Sequence, residues 1–100
     1  MSVIVTIRIT GDPARAKAVA DADPDRIQAI SQKGKAAGAL HHRFVAGDGE
    51  FMVIDEWESA EAFQSFFGGT PEIGALMAEA GVRSEPYVEI WQPLDMHDEF

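Results

Sequence analysis

The stretch Glu50-Phe51-Met52-Val53-Ile54-Asp55-Glu56-Trp57 lies in the middle of a chain of 100 residues and indicates its fold more clearly than any other part. Its β-branched and aromatic residues are typical of a strand. A sheet with one wet face has strands that alternate apolar with polar residues, whereas this strand is apolar on both faces through its middle. The pattern therefore predicts a strand in a sheet that is covered on both sides.

Three further stretches are predicted to be strands. Val3 to Thr10 alternates apolar β-branched residues with a mixed set, which is the period of two that strands show. Leu40 to Ala46 is joined to the central strand by Ala46-Gly47-Asp48-Gly49, a sequence typical of a hairpin turn. Tyr87 to Gln92 is the last predicted strand, and Tyr87 and Trp91 share one of its faces.

The first helical region lies between the first two strands and is predicted to be broken. An alanine-rich helix runs from Ala14 to about Ala22. Asp23 is a good N-cap and Pro24 suits the first position of a helix, so a second helix starts there. Gly38 is a natural C-terminal stop for that second helix.

The second helical region follows the central strand. Ser59 is predicted to cap a short helix that ends at Gly68-Gly69. Three phenylalanines at helical spacing lie on its buried side: Phe63, Phe66 and Phe67. Thr70-Pro71-Glu72 starts a further helical piece, and Gly81 ends it.

The element order β-α-β-β-α-β predicts an α+β fold of the ferredoxin-like type, a four-stranded antiparallel sheet with helices on one face. Such a sheet leaves its other face open, yet the central strand is apolar on that face too. A second copy of the chain is the economical cover, so we expect a homodimer. Residues 1–94 are predicted to form the single domain, and residues 95–100 a C-terminal tail.

Composition narrows the class of function. Hydrophobic residues make up 46% of the chain and charged residues 25%, a globular balance, and there is no cysteine to supply a disulfide, a thiolate ligand or a nucleophile. The formal charge of −9 repels phosphate backbones and anionic lipid, so neither nucleic acid nor membrane is an expected partner. No signal peptide or membrane-spanning run is evident, and the expected location is the cytoplasm.

The candidate chemistry centres on Asp55, a carboxylate at the end of an apolar strand. A three-residue hairpin loop would place His41 opposite Asp55, and a two-residue loop would place His42 there. A carboxylate that fixes an imidazole tautomer prepares a general base. The alternative is that the pair only satisfies two half-buried polar groups. Adjacent strand residues point to opposite faces, and His97 lies in the tail, so no metal site is predicted.

Other side chains are candidates for binding a ligand. Arg8 could meet Glu89 or an anionic substrate. Aromatic residues could line a pocket for a flat ligand, although such residues are also common in cores and interfaces. The aromatic candidates are Phe51, Trp57, Tyr87 and Trp91.

The segment from Phe51 to Phe63 resembles the dimeric α+β barrel proteins of the antibiotic-biosynthesis-monooxygenase type, and the resemblance extends from Val3 to about Pro93. It implies two ferredoxin-like units packed sheet against sheet, with a cavity between each sheet and its helices. It also implies a small-molecule enzyme that needs no metal or nucleotide cofactor and acts on a flat, polyketide-like or quinol-like ring. A non-catalytic homodimer that binds a small molecule, or serves as a structural unit, is the alternative.

The chain departs from the family's catalytic sets. Cofactor-independent oxygenases of this type are associated with Asn, Trp and Tyr or Arg in the cavity, and haem-degrading relatives with Asn, Trp and His. This chain has no Asn, and Phe66 stands where many relatives carry a helical His. Only Trp57 matches either set. In the hypothesis of an enzyme, Trp57 and Arg8 orient the ligand, and the resemblance implies that Phe66 belongs to the surface that lines the cavity.

Overall fold

The computed structural model describes residues 1–100 and contains four strands and four helices. In chain order these are β1 Val3–Thr10, α1 Pro13–Ala22, α2 Pro24–Ala37, β2 Ala39–Ala46, β3 Glu50–Trp57, α3 Ala60–Gly68, α4 Pro71–Glu79 and β4 Tyr87–Trp91. None of the four helices has the length and continuous apolar character that crossing a bilayer requires.

The four strands form one antiparallel sheet in the order β2-β3-β1-β4, which confirms the predicted ferredoxin-like fold. The two central strands bury one face completely beneath the helices. That face contributes Val3, Val5, Ile7 and Ile9 from β1 and Phe51, Val53 and Trp57 from β3, and Phe63 of α3 completes the core. The core therefore lies between the centre of the sheet and the helices.

The predicted breaks in the helices are confirmed, and side chains explain them. The Asp23 carboxylate accepts a hydrogen bond from the Arg26 amide, so Asp23 caps α2 while it ends α1. Ser59 caps α3 in the same way, through the Ala62 amide. Gly38 ends α2 with a φ of 126°, a backbone conformation that favours glycine.

Some element ends agree with the prediction and others differ from it. The last helix ends at Glu79, and Gly81 stops it as predicted: Gly81 has a φ of 81°, and the Gly81 and Val82 amides turn back to bond the carbonyls of Ala78 and Met77. The last strand ends at Trp91, one residue early. At the start of α4 the Thr70 hydroxyl donates to the Phe66 carbonyl at 2.6 Å and makes no cap, so Thr70 ties α4 to α3.

The sheet face opposite the helices carries apolar side chains, as the central strand predicted. Met52 and Ile54 of β3 lie there and are half-buried by neighbouring strands. From β4, Tyr87 and Trp91 add aromatic rings that are 59% and 54% exposed. This surface, called the open face below, has apolar and aromatic side chains at its centre and charged or polar ones among them. It comprises Ile4, Thr6, Arg8, His41, Arg43, Val45, Glu50, Met52, Ile54, Glu56, Tyr87, Glu89 and Trp91.

Candidate functional site

The hairpin between β2 and β3 has a two-residue loop, Asp48-Gly49. The Gly47 amide donates to the Glu50 carbonyl at 2.8 Å and closes the turn, and Gly49 adopts a φ of 70°. This loop pairs His42 with Asp55 and His41 with Glu56. Of the two registers that the sequence left open, the structure therefore has the one that places His42 beside the carboxylate.

His42 and Asp55 are hydrogen-bonded on the helix-covered face of the sheet. The His42 Nδ1 lies 2.7 Å from the Asp55 Oδ1. The Asp55 side chain is only 8% exposed, whereas the His42 side chain is 41% exposed. The pair therefore joins a buried carboxylate to an imidazole that solvent or a ligand can reach, while His41 points to the other face.

Trp57 supplies the second partner of Asp55. Its indole Nε1–H donates to the Asp55 Oδ2 at 3.1 Å, and the ring is 2% exposed. The two residues are neighbours on one face because they stand two apart on a strand. Both carboxylate oxygens thus have a hydrogen-bond partner, which compensates for removing the carboxylate from water.

This arrangement defines the proton on His42. An ionised carboxylate only accepts hydrogen bonds, so it selects the tautomer with the proton on Nδ1. The lone pair of the neutral ring is then on Nε2, which makes no hydrogen bond within the chain. A neutral His42 is therefore arranged as a proton acceptor, with Asp55 placed to stabilise the imidazolium after proton transfer.

A cavity of about 690 Å³ lies between the sheet and helices α2, α3 and α4, and His42 borders it. His42, Asp55, Trp57 and Phe66 all line it. The remaining walls are mainly aliphatic and come from Ile27 and Ile30 of α2 and from Ile73, Leu76 and Met77 of α4. An apolar cavity of this size with a few polar groups is typical of a small-molecule site.

Aromatic rings hold the inner wall of this cavity. The Trp57 ring centroid lies 5.4 Å from that of Phe66 and 5.7 Å from that of Phe63, which meets it edge-on. The Phe66 ring also lies against Gly34 of α2, where an added Cβ would be 3.4 Å from its Cζ. Phe66 is therefore part of the cavity surface, at the place where α2 and α3 meet.

Three predicted ligand-binding residues lie on the open face, outside the cavity. Arg8 bonds Glu50 at 2.9 Å, and not Glu89. The Trp91 indole lies 3.3 Å from the Thr6 hydroxyl, and Tyr87 is paired with Arg8 across the strands. The alternation of strand side chains separates Arg8, Tyr87 and Trp91 from His42 and Asp55, so within one chain they form no common site.

The structure adds cavity residues that the sequence analysis did not consider. Phe44 lies two residues after His42 on the same face of β2, and the two rings meet edge-on at 5.3 Å. The two-residue period of strand side chains would have been enough to predict that Phe44 shares the face of His42. Arg83 and Glu85 also border the cavity, from the loop between α4 and β4, where no sequence pattern indicates a direction.

No three His, Asp or Glu side chains are grouped closely enough to hold a metal ion. His41 and His42 face opposite sides of the sheet. His97 is exposed in the C-terminal segment, where its Nδ1 lies 3.6 Å from Asp95.

Two ion pairs connect α2 to α4 beside the cavity. Arg26 donates to Glu79 at 2.9 Å, and Lys33 lies 3.5 Å from Glu72. The hydrogen bond with Arg26 holds the pKa of Glu79 below its usual value, and the same bond raises the pKa of Arg26. Both pairs are on the surface, where ion pairs contribute little to stability. Their main effect is therefore on the position of α2 relative to α4.

The chain is thus an α+β domain with a ferredoxin-like sheet, in which one imidazole–carboxylate pair lies in the wall of a mainly apolar cavity. Residues 2–79 match the antibiotic biosynthesis monooxygenase family, and the chain belongs to that family. No curated protein matches the chain by sequence.

Solved structures share the fold at low sequence identity. SnoaB, a cofactor-independent oxygenase from Streptomyces nogalater, is 16% identical with a TM-score of 0.66 over 98% of both chains. The monooxygenase ActVA-Orf6 of Streptomyces coelicolor, solved with nanaomycin D, is 17% identical with a TM-score of 0.67 over 94% of this chain and 88% of its own. Rv0793 from Mycobacterium tuberculosis is 20% identical with a TM-score of 0.63 over 95% of this chain and 97% of its own.

Proposed function

We propose that this protein is a cofactor-independent monooxygenase that acts on a flat, oxygenated aromatic compound, such as a polyketide-like or quinol-like ring. The observation that carries the proposal is the His42–Asp55–Trp57 arrangement in the wall of a mainly apolar cavity. A buried carboxylate that orients an accessible imidazole is the standard preparation of a general base.

Family membership and two structural neighbours support the type of reaction. The neighbour SnoaB is a cofactor-independent oxygenase, and the neighbour ActVA-Orf6 binds nanaomycin D. This chain lacks Asn, so the oxygenase set of Asn, Trp and Tyr or Arg cannot be transferred to it. His42 with Asp55 is the pair in this cavity that can take over the proton transfer.

The proposed reaction oxidises a ring methylene of an anthrone-like substrate. The His42 Nε2 removes a proton, and Asp55 stabilises the imidazolium that forms. The resulting electron-rich anion reduces dioxygen, the co-substrate. One oxygen atom becomes the new ring carbonyl, and the other leaves as water with the two methylene hydrogens. The aliphatic side chains of α2 and α4 give the reactive anion a mainly apolar surrounding.

We also propose that the working unit is a homodimer formed through the open face. That face exposes Tyr87 and Trp91 beside the apolar side chains of Ile4, Met52 and Ile54. Exposed aromatic rings next to aliphatic side chains are typical of interface cores. In the dimer Arg8, Tyr87 and Trp91 act between subunits rather than on the ligand.

The test is oxygen transfer to 1,8-dihydroxyanthrone under ¹⁸O₂, measured by mass spectrometry of the quinone. The wild-type protein should incorporate one labelled oxygen atom. His42→Gln should lower the rate by roughly 100-fold or more, as removal of a general base does. His41→Gln, the adjacent histidine on the other face, is the matched control and should keep the wild-type rate. Absence of label in the quinone, or equal rates in both variants, would contradict the proposal. The alternative that would then remain is a non-catalytic protein that binds a small molecule.

A further inference from the structure

A second cavity, of about 310 Å³, lies beside the first and extends toward α1. The two cavities share four lining residues: Ile27, Phe44, Leu76 and Met77. Since the same side chains face both spaces, the cavities adjoin along the line where α2, β2 and α4 meet. The smaller space is therefore an extension of the one that contains His42.

Phe44 is the aromatic residue among the four that line both spaces. One edge contact, at 5.3 Å between ring centroids, joins it to His42, and its centroid lies 6.3 Å from that of Phe51 in the wall of the smaller cavity. The Phe44 side chain is exposed, and it stands on the edge strand β2. Phe44 therefore stands at the boundary between the two spaces, next to His42 on one side and Phe51 on the other.

The walls of the smaller cavity define what it can hold. Ala16, Val19 and Ala20 of α1 face Phe51 and Ala46 of the hairpin. Lys17 is the only charged lining residue, and its ammonium group is already bonded to Asp21 at 3.0 Å and 3.1 Å. No free hydrogen-bonding side chain is offered to an occupant, so burial of aliphatic surface is the interaction available there.

We infer that the substrate is amphiphilic: a flat oxygenated ring occupies the larger cavity at His42, and an aliphatic substituent of that ring passes Phe44 into the smaller cavity. This inference rests on the proposed function for the position of the ring, and it adds the substituent. The smaller cavity then selects among substrates by the length of the chain they carry.

The probes are 1-naphthol and its 2-hexyl and 4-hexyl derivatives, titrated calorimetrically under nitrogen so that no turnover occurs. At least one hexyl derivative should bind the wild-type protein tenfold or more tightly than 1-naphthol. Ala20→Leu fills the smaller cavity and should abolish this gain without weakening 1-naphthol. Ala18→Leu, on the same helix but outside both cavities, is the control and should keep the gain. Val19→Phe replaces Ala20→Leu if that variant does not fold.

Two outcomes overturn the inference: neither hexyl derivative gains affinity in the wild-type protein, or the gain survives in the filled variant. Because binding is measured without oxygen, its result is independent of catalysis. Failure of ¹⁸O incorporation would reject the proposed monooxygenase activity. A gain in affinity from the hexyl group that Ala20→Leu removes would still show that the smaller cavity holds the substituent.

Discussion

The His42 Nδ1 lies 2.7 Å from the Asp55 Oδ1, and the two residues are direct partners across the β2–β3 hairpin. The backbone pairing holds both Cα atoms in place, so the side-chain bond needs little additional ordering. Burial is uneven, because Asp55 lies under the helices while His42 remains accessible. The geometry therefore combines a fixed anion with a reachable base.

Asp55→Asn tests whether this anion serves catalysis. The amide can donate to Nδ1, which selects the opposite tautomer and removes the lone pair from Nε2. We expect the fold to persist and the oxygenation rate to fall by roughly 100-fold to 10,000-fold. Thermal denaturation and the ¹⁸O assay, run together, separate the roles. A purely structural Asp55 would show a lower melting temperature with turnover and ligand response little changed.

Trp57→Phe tests the indole bond to the carboxylate. An aromatic ring remains next to Phe63 and Phe66, although it is smaller and packs less fully, and the Asp55 Oδ2 loses its donor in a buried place. We expect the free energy of unfolding in urea to fall by about 1–3 kcal/mol. The double variant with Asp55→Ala, which removes the acceptor altogether, should lose less than the two single losses added together. Strict additivity would show that Trp57 acts by packing alone.

The pair Arg26–Glu79 makes stability depend on pH. The pKa of Glu79 is lowered in the folded state, mainly by the hydrogen bond from Arg26. Its contribution is therefore complete above the usual Glu pKa of 4.5 and is lost as the pH falls through the lowered folded value. In this acid range, the melting temperature of Glu79→Gln should fall slightly less steeply with decreasing pH than that of the wild-type protein. Glu99→Gln, in the exposed C-terminal segment, should leave the wild-type profile unchanged.

The apolar side chains of the open face predict a homodimer, and one charge introduced among them should disrupt it. Light scattering at micromolar concentration should give twice the mass of the chain, with a buried area above roughly 1,000 Å². Ile54→Lys places an ammonium group in the middle of that face and should yield monomer. A wild-type monomer under these conditions would reject the proposed interface.

Haem should not bind in a specific way. The chain has no Asn, and the family resemblance puts Phe66 where many relatives carry a helical His. Titration with haem should therefore give no saturable Soret shift at stoichiometric ratio. A shift that saturates at one haem per chain would contradict this expectation.

Element order and helix caps followed from the sequence because they depend on local signals, such as Asp23 before Pro24 and Ser59 before α3. The hairpin register did not follow, since a glycine on each side of Asp48 permits both loop lengths. The partner of Arg8 was equally undetermined. The central position of β1 gives Arg8 neighbours on both sides, and a side-chain rotamer selects Glu50 over Glu89.

The cavity was expected only through the family resemblance. Its volume depends on how far α2 and α4 stand from the sheet, which is set by side chains distant in sequence. Phe66 against Gly34 and Arg26 with Glu79 are examples of such contacts. No local periodicity encodes a space of this kind, so the sequence could indicate the polar pair but not the cavity around it.

The adjacent histidines of β2 have an evolutionary consequence. If a residue inserted after Asp48 forms the two-residue loop together with Asp48, Gly47 pairs with Gly49, which shifts β2 by one position against β3 and exchanges its two faces. His41 then replaces His42 beside Asp55, whereas Arg43 replaces Phe44 at the boundary between the two cavities. A lineage could thus acquire a charged substrate chamber through an insertion in a surface turn, without ever losing its base.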